Sequence, residues 1–388
     1  MKKIIVFVWS VFLLTQALPV SASCADFRED AEYDGYLVAL ADGAAAPDAG
    51  EWEAVLPGVI RTDDLSLARK LLADGVAEYV ETNDVVRLFD TDAPRVQDGW
   101  VYEAANAACA EELGLSGAAV RIAVIDSGVD RENGDLRCAV IEAGYDYLAE
   151  SGKTMRDDVG HGTQVVQMIA ADRNDRGGTG IARGAVIVPL RCFGESDSLK
   201  AAGLARAIYE AVDKYDCDII NMSWGLKTDN RTLHEAVRYA YERGCILVAA
   251  AGNVSVGDPQ GTVFYPAAYD EVIGVGAVTR TGDISAYSQQ TAAVSVCAPG
   301  EAVPVWLNGE YVNTGTSFAA PCVSAMLALA RERLPSLDGA AARLLVRERA
   351  VDRGAAVLWR RTDSCLRNIS AYTAQIALCL IRRHGCAR

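Results

Sequence analysis

From about residue 100 the sequence alternates short, almost wholly apolar runs with stretches of helical spacing, and this alternation constrains the fold more than any other feature. Val120-Arg121-Ile122-Ala123-Val124-Ile125 ends in Asp126, and runs at 185–190, 218–223, 245–251 and 272–278 follow, with a helix-like stretch at 231–243 between two of them. Strands that are apolar on both faces must be covered on both sides. The expected fold class is therefore α/β, a three-layer, mostly parallel sheet flanked by helices. Functional groups in such a sheet gather beyond the carboxyl ends of the strands.

The preceding residues read as a separate unit. Residues 36–40, 76–81 and 85–89 are strand-like, and 66–73 has helical spacing after Asp63-Asp64, which predicts a small α+β domain over 26–91. Residues 92–99 hold Asp, Pro and Gly with few apolar side chains and are assigned as a linker, leaving a large domain at 100–350 and a tail at 351–388. Met1-Lys2-Lys3, an apolar run over 4–18 broken by Ser10, Thr15 and Gln16, and Pro19-Val20-Ser21-Ala22 have the layout of a secretory signal at 1–22. The run is shorter than the roughly 20 residues needed to span a bilayer. A lipid anchor on Cys24 fits less well, because Ser21 suits a lipoprotein signal poorly. The expected location is secreted or extracytoplasmic.

Composition removes some classes and narrows others. A formal charge of −15 repels polyphosphate and argues against a nucleic-acid partner. Export makes disulfides permissible for the ten cysteines that follow Cys24, and Cys365, Cys379 and Cys386 cluster near the C-terminus. Cys217, Cys245, Cys297 and Cys322 have apolar neighbours and read as buried thiols. A base working near neutral pH has only His161, His234 and His384 to come from.

Three segments combine small residues with reactive ones: Ile125-Asp126-Ser127-Gly128, Gly160-His161-Gly162-Thr163, and Asn313-Thr314-Gly315-Thr316-Ser317-Phe318-Ala319-Ala320-Pro321. Singly they would pass as a turn, a loop and a helix cap. Together they supply a serine nucleophile, a base to take its proton and an acid to orient the base. In that order along the chain, Asp126, His161 and Ser317 resemble the subtilisin-like serine proteases, with the likeness covering about 100–350. The resemblance implies catalytic roles for these three residues. It assigns Asn253 to the oxyanion hole with the Ser317 backbone N–H, and Ser223, Trp224, Gly225 and Gly252 to the substrate cleft. Phe264 falls on the wall of the specificity pocket, where the family commonly has a small residue, and so implies a preference for small side chains before the scissile bond. The unit at 26–91, especially Glu78-Tyr79-Val80-Glu81-Thr82-Asn83, resembles the family's inhibitory propeptide with a ferredoxin-like fold, and autocleavage would fall between Phe89 and Arg95.

Departures from the family pattern are Gln164 where a second His is frequent, Phe318 for Met and Cys322 for His. No cofactor is needed for the chemistry. Structural calcium is common in the family, and Asp135 matches one usual ligand, although the loop 172–180 is too different to assign the rest. The expectation is an exported, autoprocessed, monomeric serine endopeptidase acting on proteins or peptides, with its own propeptide as internal inhibitor. A narrow processing protease and a catalytically silent binding or inhibitor protein are the rival readings; a cysteine protease built on Cys322 has no motif behind it.

Overall fold

The computed structural model describes residues 33–352 and 357–359, apart from 48–49, 85, 89–90, 94–98, 152–155, 175, 196–197 and 308. The signal-like segment, Cys24, most of the linker, and Cys365, Cys379, His384 and Cys386 lie outside the described residues.

The chain begins with β1 (Tyr33–Leu40), β2 (Glu53–Leu56), β3 (Val59–Thr62), α1 (Leu65–Ala73) and β4 (Ala77–Asp84). They form an antiparallel sheet in the order β2-β3-β1-β4. That is the ferredoxin-like strand order, with one crossover helix, α1, among the described residues. Between β1 and β2 the described residues hold no helix; Gly43, three Ala and Pro47 occupy a stretch too short and too broken to propagate one. Asp64 starts α1 as its N-cap, accepting from the backbone N–H of Ser66 and Leu67 at 2.8 and 3.1 Å.

Next come β5 (Arg87–Leu88), β6 (Thr91–Ala93), α2 (Trp100–Ala104), α3 (Ala107–Glu112), β7 (Arg121–Asp126), β8 (Val140–Ile141), β9 (Tyr145–Asp146), α4 (His161–Ala170), β10 (Val186–Arg191) and α5 (Ala201–Asp213). The chain continues through β11 (Ile219–Met222), β12 (Trp224–Gly225), α6 (Arg231–Glu242), β13 (Ile246–Ala250), β14 (Val272–Val278), β15 (Val296–Pro299), β16 (Val303–Trp306), β17 (Glu310–Thr314), α7 (Thr316–Arg333) and α8 (Gly339–Arg349). A hairpin of β18 (Ala350–Asp352) and β19 (Val357–Trp359) crosses the boundary expected at 350.

The central sheet is parallel, in the order β15-β14-β13-β11-β7-β10-β8 with β9 beside β10. Its strands alternate side chains between two cores. Ile122, Val124, Ile219, Val248 and Val275 pack with α4 and α7, whereas Ala123, Ile125, Ile220, Met222 and Leu247 pack with α5 and α6. This two-sided burial is why the strands read as continuous apolar runs. Every residue of α4 is buried, so its seam needs small and β-branched side chains rather than one apolar stripe. Cys217, Cys245, Cys297 and Cys322 are buried thiols as expected, and none of the seven described cysteines is in a disulfide.

The N-terminal sheet lies on α5 and α6. Leu37, Ala39, Val59 and Tyr79 pack with Ala202 of α5. Asn83 Oδ1 accepts from Ala202 N–H at 3.2 Å, and both Glu81 oxygens accept at 2.7 Å, from Arg231 N–H and Thr232 N–H. The sheet therefore satisfies the open N–H groups at the starts of two helices. Burial nevertheless lifts the Glu81 carboxyl from 4.5 to about 7, despite the N–H donors that pull the other way. A carboxyl raised on folding stabilises the folded state below its unfolded value and loses that contribution as pH climbs to the folded value. We predict that Glu81 costs the full-length chain about 3 kcal/mol between pH 4.5 and 8. The fall in thermal midpoint over that range, measured by calorimetry, is expected to be smaller in Glu81→Gln than in the wild type.

Candidate active site

Asp126 is the last residue of β7, and by strand alternation it projects on the α4–α7 side of the sheet. It has no exposed surface, so its carboxylate requires donors from the protein. His161 Nδ1 lies 2.7 Å from Asp126 Oδ1, which also accepts from Ser127 N–H at 2.7 Å. With Nδ1 held by the carboxylate, Nε2 is the ring nitrogen left for proton transfer.

His161 opens α4 at the end of a tightly bonded loop. Asp157 Oδ1 accepts from Gly160 N–H (2.7 Å) and Ser127 Oγ (2.8 Å), while Oδ2 accepts from the N–H and Oγ of Thr163 (2.8 and 2.6 Å). Ser127 Oγ in turn accepts from Gly162 N–H at 2.8 Å. Two glycines permit the approach of helix to strand end. A Cβ on Gly162 would stand 2.2 Å from the Gly128 carbonyl oxygen, and one on Gly128, whose φ is +110°, would stand 2.0 Å from the Arg156 carbonyl.

Ser317 is the second residue of α7 and is fully buried among the protein atoms. Its Oγ donates to the Ser223 carbonyl at 2.8 Å, and Ser223 Oγ donates back to the Ser317 carbonyl at 2.8 Å. Pro321 explains why that carbonyl can accept. A proline at i+4 has no N–H to give it, so the first turn of α7 is open to a donor from the sheet. Asn221 Nδ2 donates to Ser223 Oγ (3.0 Å) and Asn221 Oδ1 accepts from Ser324 Oγ (2.9 Å), completing a buried polar chain between β11 and α7. The Phe318 and His161 ring centroids lie 5.7 Å apart, so the departure at Phe318 packs against His161.

Asn253 follows β13. Its Oδ1 accepts from the N–H and Oγ of Thr316 at 3.0 and 2.9 Å, and its Nδ2 is buried without a hydrogen bond among the described residues. Two donors on Oδ1 fix the amide orientation and leave Nδ2 as a donor in reserve beside Ser317. Such an orphan is costly in a folded protein unless something comes to accept from it. Gly252, at φ +99°, donates from N–H to Thr316 Oγ at 3.2 Å. A Cβ there would stand 2.2 Å from Phe264 Cδ2, so the buried Phe264 ring fills the space against Gly252.

Ser223, Trp224 and Gly225 are placed less uniformly. The Trp224 side chain is wholly buried and donates from Nε1 to the Ile125 carbonyl at 3.0 Å, so it belongs to the core. The backbone of β12 pairs antiparallel with β5, Leu88 opposite Trp224 and Arg87 opposite Gly225. Among the described residues of the strand expected over 85–89, Arg87–Leu88 pair in this way. Asp157, Thr316, Asn221 and Ser324 were not singled out from the sequence; Ser, Thr and Asn beside strands look like ordinary turn and cap residues until their partners are known.

A cation site is a separate matter. Asp135 accepts from Asn174 Nδ2 at 2.8 Å, and its other oxygen is buried without a hydrogen bond among the described residues. Burial, reinforced by Asp172, lifts this carboxyl to about 7. An orphaned buried carboxylate oxygen fits a hard cation. Among the described residues, no group of three or more His, Cys, Asp or Glu gathers around one point.

The Subtilase family matches residues 117–363, and the chain belongs to that family. It is 35% identical over 313 residues to the minor extracellular protease Epr of Bacillus subtilis, covering 78% of this chain and 47% of Epr. The chain thus spans about half the length of that relative. Against the major intracellular serine protease of the same organism it is 37% identical over 223 residues, 56% of this chain and 69% of that protein. In fold it resembles fervidolysin from Fervidobacterium pennivorans, a keratinolytic enzyme related to subtilisin, with a TM-score of 0.74 at 23% identity over 89% of this chain and 63% of fervidolysin.

The contact between Gly162 and Gly128 yields a direct test. Gly162→Ala is expected to destabilise the chain by about 1–3 kcal/mol, because the clash is with backbone that cannot turn away. Thermal denaturation followed by circular dichroism measures the loss.

Proposed function

We propose that the chain is a serine endopeptidase that hydrolyses peptide bonds through an acyl-enzyme, is exported, and is made as a zymogen. The observation that carries this reading is the 2.7 Å contact between His161 Nδ1 and Asp126, with the ring of Phe318, the residue after Ser317, 5.7 Å from that of His161. His161 takes the proton from Ser317 as the Ser317 hydroxyl turns from the Ser223 carbonyl, and later returns one to the leaving amine. Asp126 holds the tautomer and stabilises the imidazolium. Asn253 Nδ2 and the Ser317 N–H donate to the oxyanion, aided by the positive end of α7. In subtilisin, loss of the corresponding side-chain donor costs about 10²–10³ in kcat. The backbone of β12 receives the substrate as an added strand.

The N-terminal unit supports the zymogen reading because its continuation, β5, already occupies the β12 edge. Cleavage would fall beyond Leu88, around Phe89 to Arg95. Export rests on the signal-like segment and on the extracellular relative; among the described residues no helix is long and apolar enough to cross a membrane. Were a structural calcium ion bound here, Asp135 would supply one of its oxygen ligands.

Ser317→Ala is expected to abolish both labelling by a fluorophosphonate and conversion of the full-length chain to a shorter form on a denaturing gel. A folded, processed wild type that fails to label would overturn the reading. Specificity has its own test. Phe264→Gly is expected to move preference before the scissile bond from small side chains toward Phe and Leu, read by sequencing the cleavage products of a peptide library. A wild type that already favours Phe or Leu would refute the blocked pocket.

A further inference from the structure

The sheet places three charged residues in one row. Arg191 closes β10, with Asp126 of β7 as its Cα partner on one side and Asp146 of β9 on the other. All three are buried, at 0%, 3% and 0% exposure for Asp126, Arg191 and Asp146. The Arg191 guanidinium grips Asp146 from Nη1 at 3.0 and 3.1 Å and reaches Asp158 from Nη2 at 2.7 Å. Asp158 stands in the loop that leads to His161, next to the Asp157 that caps α4. The stem of Arg191 lies under Gly128, where an added Cβ would be 3.1 Å from Arg191 Cδ.

We propose that Arg191 is a positioning residue for the Asp126–His161 pair: one buried cation ties the acid's strand, its neighbouring strand and the loop carrying the base into a single charged unit. The proposal rests on the protease reading for its kinetic consequence but not for its electrostatic one. A buried ion pair is a weak source of stability, since replacement by apolar groups is often neutral or better. What a rigid planar guanidinium supplies is geometry: Nη1 and Nη2 are fixed in one plane and aimed at two different carboxylates.

The other groups facing this unit are Asp157 and Arg156 on the loop, the Cys192 thiol that follows β10, and Arg206 of α5. Burial works against the Arg191 charge, yet Asp158 and Asp146 hold it protonated above the ordinary guanidinium range. Hydrogen bonding to Arg191 holds Asp158 below the ordinary carboxyl range.

The two ends of the bridge have opposite charge, so their removal has opposite signs at His161. Arg191→Met takes away a positive neighbour and exposes His161 to unpaired carboxylates, which raises the pH at which its ring titrates. Asp158→Asn takes away a negative neighbour and lowers that pH. Both loosen the loop and are expected to reduce kcat by about 10–100-fold with KM nearly unchanged. Arg191→Lys restores the charge without the fork and is expected to return the titration toward wild type while recovering kcat only in part.

The experiment follows the His161 ring by NMR in the full-length Ser317→Ala background, which needs no turnover, and measures kcat and KM on a chromogenic peptide in the Ser317 background. Opposite shifts of the His161 titration, with loss of kcat, support the proposal. Folded variants whose titration and kcat match wild type overturn it, as does a shift of the same sign in both. If Arg191→Met does not fold, Asp158→Asn and Arg191→Lys decide. A wild type with no turnover would refute the protease reading, while the titrations would still decide the role of Arg191.

Discussion

A carboxylate with no exposed surface cannot remain ionised in a protein interior without donors, and Asp126 sets that requirement at the centre of this fold. Ser127 N–H and His161 Nδ1 meet it on one oxygen. Bringing the imidazole there demands that α4 begin almost on top of the end of β7, which two glycines permit and the Asp157 carboxylate enforces. The rest of the site inherits its place from the same contact. Once α4 is fixed, the buried α7 packs along it, and Ser317 arrives at the edge of β11 and β13, where Ser223 and Asn253 stand.

Much of this was legible in the sequence because burial on both faces leaves an unambiguous pattern. Val272–Val278 was read as a strand to the residue, and 231–243 as a helix to within one. The reactive residues stood out because Gly, Ser and Thr surround them, the side chains that close approach and helix starts require. Trp224 was assigned to the cleft through its backbone; its indole donates inward to the Ile125 carbonyl, and its backbone forms the edge that pairs with β5. The strand order of the N-terminal unit was legible in class but not in its helices, because 41–52 lacks the periodicity that would mark one. Arg191 and Asp158 left no signal at all. Their meaning lies in the register of three strands distant in sequence, and no local pattern encodes it.

The N-terminal unit joins the same logic from outside. Helices α5 and α6 present unsatisfied N–H groups where they start, and Asn83 and Glu81 answer them with side-chain oxygens. The apolar contact runs through Leu37, Ala39, Val59, Tyr79 and Ala202. Non-directional apolar area gives attraction, and hydrogen bonds at the two helix starts fix the direction in which the sheet sits.

The pairing of β5 with β12 has a consequence best expressed as a concentration. A strand tethered at both ends by short segments competes for an edge as if it were present at about millimolar levels, with no contact better than those a free peptide could make. Anything else that pairs with β12 faces that competitor while the chain is continuous. Once a single bond beyond Leu88 is broken, the same strand becomes one more molecule in solution, and its advantage falls with dilution rather than with any change in the site.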